Sequence, residues 1–349
     1  MFRKRARRLA RREVLWALAA LALIELALAA SVDLFLDRVR DPEFAAKLDR
    51  LQALRAGAPD RPLVLVLGSS RTQLGLEAAR LNGGRPLVFN FGLQGGGPML
   101  ERICLRRLRD AGVRPAILVV EIAPVMLAEG EDCPAEDRWL DGARLRLDEV
   151  WRTRNYYADR QRLWTHWLSG RALPSSRHQA ELRDALGVDL GPSGRPLNDP
   201  LAGVDPYGWL PRPDETDPGR RAITFEKSMH MLRCDLASGR SAPGKIAALR
   251  DLLDDCRRAA IPTAALIMPE SRPLRELYAE GFRREVDALV ARLRDELGLR
   301  AVIDAREWVP DEQFWDAHHL ASSGARTFTD RFAAEALPML FERCVAAHD

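Results

Sequence analysis

Leu63-Val-Leu-Val-Leu-Gly-Ser-Ser-Arg-Thr72 is the stretch that decides the fold. An apolar run rich in Val and Leu stops abruptly at Gly68-Ser69-Ser70-Arg71, and an amphipathic segment carrying Leu74, Leu76, Ala79 and Leu81 follows. A strand buried on both faces, feeding a tight turn and then a helix, has this pattern. A hydroxyl at such a strand end sits on the carboxyl edge of a parallel sheet, where open α/β folds bind their ligands. Turn chemistry alone, with a serine as helix N-cap, explains the same residues equally well. A base and an orienting carboxylate elsewhere in the chain would decide between the two.

Outward from this stretch, strand and helix patterns alternate. Apolar runs at 87–91, 116–122, 261–268 and 301–304 read as further strands. Helical patterns lie between them, carrying Leu100, Ile103, Cys104 and Leu108, then residues 245–258 and 280–297, with a last helix opened by Gly324. This predicts a flavodoxin-like three-layer α/β/α sandwich around a central parallel sheet of about five strands. The alternation stops over 128–245. That insertion holds Trp139, Trp151, Tyr156, Tyr157, Trp164, Trp167, Tyr207 and Trp209, helical segments within 140–168, and a Pro/Gly/Asp-rich loop at 187–219. An insertion of this length reads as a functional cap or as an aromatic helical pack without a ligand.

The 349 residues are 47% hydrophobic and 30% charged, enough for one sizeable core. A net charge of +3 gives no basis for a nucleic-acid partner. The basic excess is local: Arg3, Lys4, Arg5, Arg7, Arg8, Arg11 and Arg12 fill a short tail over 1–13. Residues 14–36 follow, mostly Leu and Ala, long enough for the roughly 30 Å of a bilayer core. By the positive-inside rule the tail stays cytoplasmic and the rest is exported. The expected arrangement is a single-pass anchor in the inner membrane, with the main domain on the periplasmic side. Ala27-Leu28-Ala29 also fits a cleavage site, Arg11-Arg12 faintly fits a twin-arginine signal, and a buried helix of a soluble protein is the remaining reading. Glu25 in mid-span is costly by a few kcal/mol and calls for a partner. Residues 37–60 read as a helical stalk, and 61–349 as the main domain. The five cysteines are scattered without a CxxC, which argues against zinc and against a disulfide scaffold. Cys133 with Cys234 is the first pair to test for a bridge.

Asp316 and His319, in Gln313-Phe-Trp-Asp-Ala-His-His-Leu320, supply the base and carboxylate that Ser70 needs. On a helical turn, positions three apart share a face, which would bring both to one site and turn His318 away. In a triad the His ring takes the nucleophile's proton while the carboxylate fixes its tautomer and stabilises the imidazolium. The two histidines with Asp316 also have metal-ligand chemistry, but no second His or carboxylate cluster accompanies them, so no metal or other cofactor is expected.

At these residues the chain resembles the SGNH (GDSL-like) hydrolase superfamily. It is most similar to the membrane-anchored, exported branch that includes the alginate O-acetylation proteins and the D-alanyl-lipoteichoic acid protein. The resemblance covers about 63–123 and 261–332 and leaves out the middle. It maps Ser70 onto the nucleophile, with Ser69 in place of the family's Asp. Asn90-Phe-Gly-Leu-Gln-Gly95 looks like the second block, which makes Gly95 an oxyanion-hole amide beside that of Ser70. Asp316 and His319 match the Asp-x-x-His block. The third block departs: Val125 stands where an Asn commonly donates to the oxyanion, and losing one such donor costs about 10²–10³ in rate. Arg71, Asn90 and Gln94 are the candidates to compensate, or to touch substrate.

The resemblance implies an exported serine esterase or O-acyltransferase acting on acyl groups of cell-envelope glycans, working with polysaccharide-modification partners. The rival is a catalytically idle glycan-binding or assembly protein whose aromatic insertion stacks on sugar rings. A lipid-directed esterase is the third reading.

Overall fold

A computed structural model of the protein describes residues 2–187 and 202–344, and of residues 2–9, 184 and 185 the backbone alone. The side chains of the basic cluster from Arg3 to Arg8, and the stretch 188–201 of the Pro/Gly/Asp-rich loop, lie outside the described residues. In chain order the elements used below are α1 (Phe2–Leu34), α2 (Pro42–Gly57), β1 (Leu63–Gly68), α3 (Ser70–Gly75), β2 (Leu87–Gly92), α4 (Pro98–Asp110) and β3 (Ile117–Glu121). Next come α5 (Arg160–Ala172), α6 (Pro174–Arg177), α7 (Gln179–Ala185), α8 (Pro218–Leu236) and α9 (Pro243–Arg258). The chain closes with β4 (Thr263–Ile267), α10 (Glu280–Leu297), β5 (Ala301–Asp304) and α11 (Ser322–Arg331). They fall into two compact units. One takes in the chain up to 45, residues 141–152 and the chain from 160 into the loop; the other takes in 46–140, 153–159 and the chain from 202 on.

The larger unit is built on a five-stranded, all-parallel sheet in the order β2-β1-β3-β4-β5. Its strands are the apolar runs expected from sequence, shifted by one or two residues at their ends. β4 starts after Pro262, which has no N–H to give to a ladder. Alternate side chains go to opposite faces. Val64, Val66, Val88, Val119, Ala264 and Leu266 share a core with Phe328 of α11 and with Phe332. Leu65, Leu67, Phe89, Phe91, Leu118 and Val120 are buried as well, which is why these strands read as unbroken apolar runs. α4 and α9 pack together, Ile103 and Leu252 are buried, and Arg102 reaches Asp255 at 2.7 Å across the pair.

β2 is an outer strand, and a turn at 204–210 covers it. The Asn90 N–H donates to the Tyr207 carbonyl at 2.9 Å, and the Leu210 N–H to that of Gln73 at 3.0 Å. A covered edge cannot recruit a foreign strand. Lys47 of α2 is wholly buried beneath this turn and donates to the carbonyls of Asn90, Gly92 and Gly208 at 3.2, 2.6 and 2.9 Å. The expected stalk is therefore corrected in its second half: from Ala46 onward α2 is part of the α/β unit.

The strand order turns between β1 and β3, since the chain leaves β1 for β2 on one side and comes back to β3 on the other. That geometry opens a crevice at the carboxyl ends of the two strands. Gly68 and Gly92 are paired at the end of the β1–β2 ladder.

In the smaller unit, α1 is one unbroken helix, as its Ala- and Leu-rich sequence favours. Ala10–Leu34 is long and apolar enough to cross a membrane, by length and composition. α5 and α6 pack against it. Buried Glu25 accepts from the hydroxyl and from the backbone N–H of Ser175, and Asp33 pairs with Arg171. Trp164 packs edge-on against both Trp151 and Trp167, with ring centroids 5.4 and 5.8 Å apart. No disulfide joins any of the cysteines among the described residues, so Cys133 and Cys234 are not bridged.

Candidate active site

Every element of the site belongs to the larger unit. β1 ends at Gly68, where a side chain has no room: a Cβ would come within 2.2 Å of Thr72 Oγ1 and 2.5 Å of Glu121 Oε2. The chain then turns directly into α3. Ser69 is the N-cap, its hydroxyl accepting from the Arg71 N–H at 3.0 Å. The Glu121 carboxylate, at the end of β3, accepts from the Ser69 N–H at 2.7 Å, from its hydroxyl at 3.0 Å and from the Thr72 hydroxyl at 2.7 Å. The two serines thus divide the roles left open by the sequence. Ser69 is the cap, and Ser70 is free to face the crevice.

Ser70 Oγ lies 2.8 Å from His319 Nε2, and His319 Nδ1 lies 2.8 Å from Asp316 Oδ2. The Asp316 contact favours a proton on Nδ1, which leaves Nε2 to accept the Ser70 O–H. Asp316 and His319 do not lie on a helical turn, as the spacing suggested. They lie in a tight loop that an antiparallel bridge between Phe314 and Leu320 closes. Asp316 shapes it from inside, Oδ1 accepting the backbone N–H groups of His318 and His319, both at 2.8 Å. One short side chain bonding to backbone groups two and three residues on is ordinary turn chemistry for Asp. It also aims the imidazole.

The expectation that His318 points away is corrected by the same loop. Its ring lies 3.8 Å from that of His319, its Nδ1 is 2.9 Å from Ser228 Oγ on α8, and it lines the same cavity. Burial, then the adjacent His319 ring, pushes His318 down to about 3 against the pull of Asp316, so it stands as a neutral imidazole. For Asp316 burial works upward, but both histidines and the hydrogen bonds it accepts outweigh it and hold the carboxyl well below its ordinary value. Ligand atoms of Asp316, His318 and His319 fall within 4.8 Å of one another, a set that could hold a metal ion. As oriented, His319 already has one nitrogen on Ser70 and the other on Asp316, an arrangement for moving a proton.

A cavity of about 340 Å³ opens over Ser70. Gly95 and exposed Gln94 line it, as does Val125 from the turn after β3. Gly95 has φ +70, and Trp139 lies so close that a Cβ on Gly95 would be 2.8 Å from the tryptophan's own Cβ. Among the described residues, neither the Ser70 nor the Gly95 amide has an intramolecular acceptor. The far wall comes from the insertion: Trp139, and Lys227, Met231 and Leu232 of α8.

Two expected site residues are placed differently. Asn90 is fully buried, its amide donating to the carbonyls of Thr72 and Leu76 at 2.8 and 2.9 Å and its oxygen accepting from the Gly92 N–H. It ties β2 to α3 and has no surface to offer a substrate. Arg71 is among the residues that line the cavity, but its guanidinium is buried and committed to Glu270 at 3.4 Å and to the carbonyls of Met268 and Pro269 at 3.0 and 2.9 Å. Glu270, itself buried, accepts also from the Tyr278 hydroxyl.

Sequence reading missed Glu121, Glu270 and Ser228. A carboxylate ending an otherwise apolar strand was a visible signal for the first. No local pattern marked the others, because their partners are distant in the chain. The chain matches no protein-family model and no curated protein.

Proposed function

We propose that the protein is a membrane-anchored serine esterase or O-acyltransferase with a flavodoxin-like, three-layer SGNH-type domain. The observation that carries this reading is the Ser70–His319–Asp316 chain of contacts at the carboxyl edge of the sheet. The strand order β2-β1-β3-β4-β5 supports the sandwich, with the site at its switch point. Ser70 Oγ attacks an acyl carbonyl as its proton passes to His319 Nε2. Asp316 stabilises the imidazolium, and the Ser70 and Gly95 amides receive the oxyanion. Collapse breaks the ester C–O bond, and the departing alcohol takes the proton from His319. Water, or a sugar hydroxyl, then attacks the acyl-serine and gives its proton to His319; the acyl–Oγ bond breaks, Ser70 Oγ takes the proton back from His319, and the acyl group leaves as acid or as a new ester. An acylated envelope glycan is the substrate class that the SGNH resemblance implies, and Lys227 and Trp139 among the lining residues offer a cation and a ring to it. The basic N-terminal tail and the apolar α1 support an inner-membrane anchor with this domain on the periplasmic side.

The test is hydrolysis of p-nitrophenyl acetate, with labelling by a fluorophosphonate probe. The expected result is turnover, a probe adduct on Ser70, and loss of both in Ser70→Ala. Full activity in Ser70→Ala would sink the reading.

One observation favours a second reading, a glycan-binding protein that does not turn over. Val125 is apolar and buried where a third oxyanion donor would stand, and Arg71 does not replace it. Absence of a Ser70 adduct together with saturable glycan binding would select it.

A further inference from the structure

We infer that the end of α5 and the turn α6 dip into the outer side of the bilayer beside α1, with lipid hydrocarbon as the partner of exposed Leu168, Leu173 and Leu186. The inference rests on α1 being a spanning helix. Arg12 ends the basic tail, and Glu25 lies thirteen residues further on, about 20 Å along a helix at 1.5 Å per residue. The hydrocarbon core is about 30 Å thick, and tilting the helix only brings Glu25 deeper. Glu25 therefore sits inside the core, and a group that hydrogen-bonds it sits at the same depth. That group is Ser175 of α6, which gives Glu25 both its hydroxyl and its backbone N–H. A carboxylate at this depth requires donors, and α6 delivers two.

The neighbouring contacts agree with this depth. Asp33, eight residues beyond Glu25 and so about 12 Å nearer the outer surface, pairs with Arg171 at the end of α5. The Arg171 guanidinium lies 4.3 Å from the Trp167 ring, which puts a tryptophan at the interface level that amphipathic rings prefer. Arg177, beyond Ser175, pairs with Asp141, both partly exposed, a charge that its long side chain can carry toward the headgroups. The backbone around α6 is satisfied locally: the N–H groups of Arg177 and His178 donate to Leu173 and Pro174 at 3.0 and 2.9 Å, as lipid demands. Leu168, Leu173 and Leu186 are 56, 56 and 76% exposed. Leu18, Leu21, Ile24 and Leu26 of α1 are exposed to a similar extent, and lipid covers both sets at once.

The experiment places a diazirine-bearing leucine analogue in the full-length protein at Leu18, Leu173, Leu186 or Glu312, one site at a time. The protein is reconstituted in phosphatidylethanolamine/phosphatidylglycerol vesicles, irradiated, and analysed for lipid adducts by mass spectrometry. Adducts at 18 and at 173 or 186, with none at exposed 312, are expected. Adducts at 18 alone would overturn the inference and leave the anchor standing. No adduct at 18 would overturn the membrane reading, and this inference with it.

Discussion

Glu121, the last residue of β3, holds Ser69 by both its backbone N–H and its hydroxyl, 52 residues away in the chain. The turn that carries Ser70 is thereby pinned to a neighbouring strand and does not rely on its own local preferences. Glu121→Gln replaces an acceptor oxygen by an N–H donor that faces other donors. Hydrogen bonds to a charged group contribute about 1.5–3 kcal/mol, so urea unfolding should show a loss of this order. The ester-cleavage kcat should fall with KM nearly constant, because Ser70 is displaced while the cavity wall is untouched. An unchanged kcat would remove Glu121 from the positioning of the nucleophile.

Asp316→Asn keeps the loop's size but weakens the contacts that aim His319 and fix its tautomer. The expected loss in kcat is on the order of 10³–10⁴. Stopped-flow acylation with p-nitrophenyl acetate checks it. A rate within tenfold of the parent would show that Asp316 is a loop residue only.

Arg71 and Glu270 form an internal ion pair, both almost wholly buried. Arg71→Met leaves the Glu270 carboxylate without its cation, which costs about 3–5 kcal/mol at a buried pair. The double variant Arg71→Met/Glu270→Gln should regain a good part of that loss in urea unfolding. Equal instability of the single and double variants would contradict the pairing.

Acid stability follows from two side chains in the 314–320 loop. An unfolded histidine titrates near 6.5, whereas His318 in the folded protein titrates at about 3. Between those values the unfolded chain binds a proton that the folded one refuses. The His318 contribution therefore falls as pH drops through this window, by at most about 1.4 kcal/mol per pH unit, while buried Glu136, pushed up to about 7 by burial, works in the opposite sense. Asp316 acts lower down. Its folded value lies below the ordinary carboxylate value near 3.9, so its contribution is intact above about pH 4 and is lost as pH falls further. His318→Gln should flatten the slope of unfolding free energy between about pH 6.5 and 4 and keep the loss below pH 4. A parent-like slope in this variant would assign the acid sensitivity elsewhere.

The sheet was legible because its strands are buried on both faces and so read as apolar runs, which alternate with helices of period 3.6. The meeting of Ser70, His319 and Asp316 could be anticipated because triad chemistry restricts residue type, whereas Gly95 was carried over from the resemblance alone. Asn90 was misread for a plain reason. A polar side chain next to a site looks the same in sequence whether it faces the substrate or the neighbouring backbone. Lys47 shows the limit more plainly: a lysine amid helical charges gives no sign that it ends under a turn 161 residues away. The helical geometry expected for Asp316-Ala-His-His failed because the Asp side chain competes for the backbone N–H groups that a helix would use.

Ser70 stands at the start of α3 and Asp316 and His319 in the loop before α11, while another wall of the cavity is carried by the insertion through Trp139 and α8. On the proposed reading, reactivity and selectivity are thus written in separate parts of the chain. Exchanging side chains at Thr224, Lys227 or Met231 redraws what enters the cavity without touching the residues that move the proton. An ancestor with this sheet could change its clientele one helix face at a time, and a protein engineer can do the same.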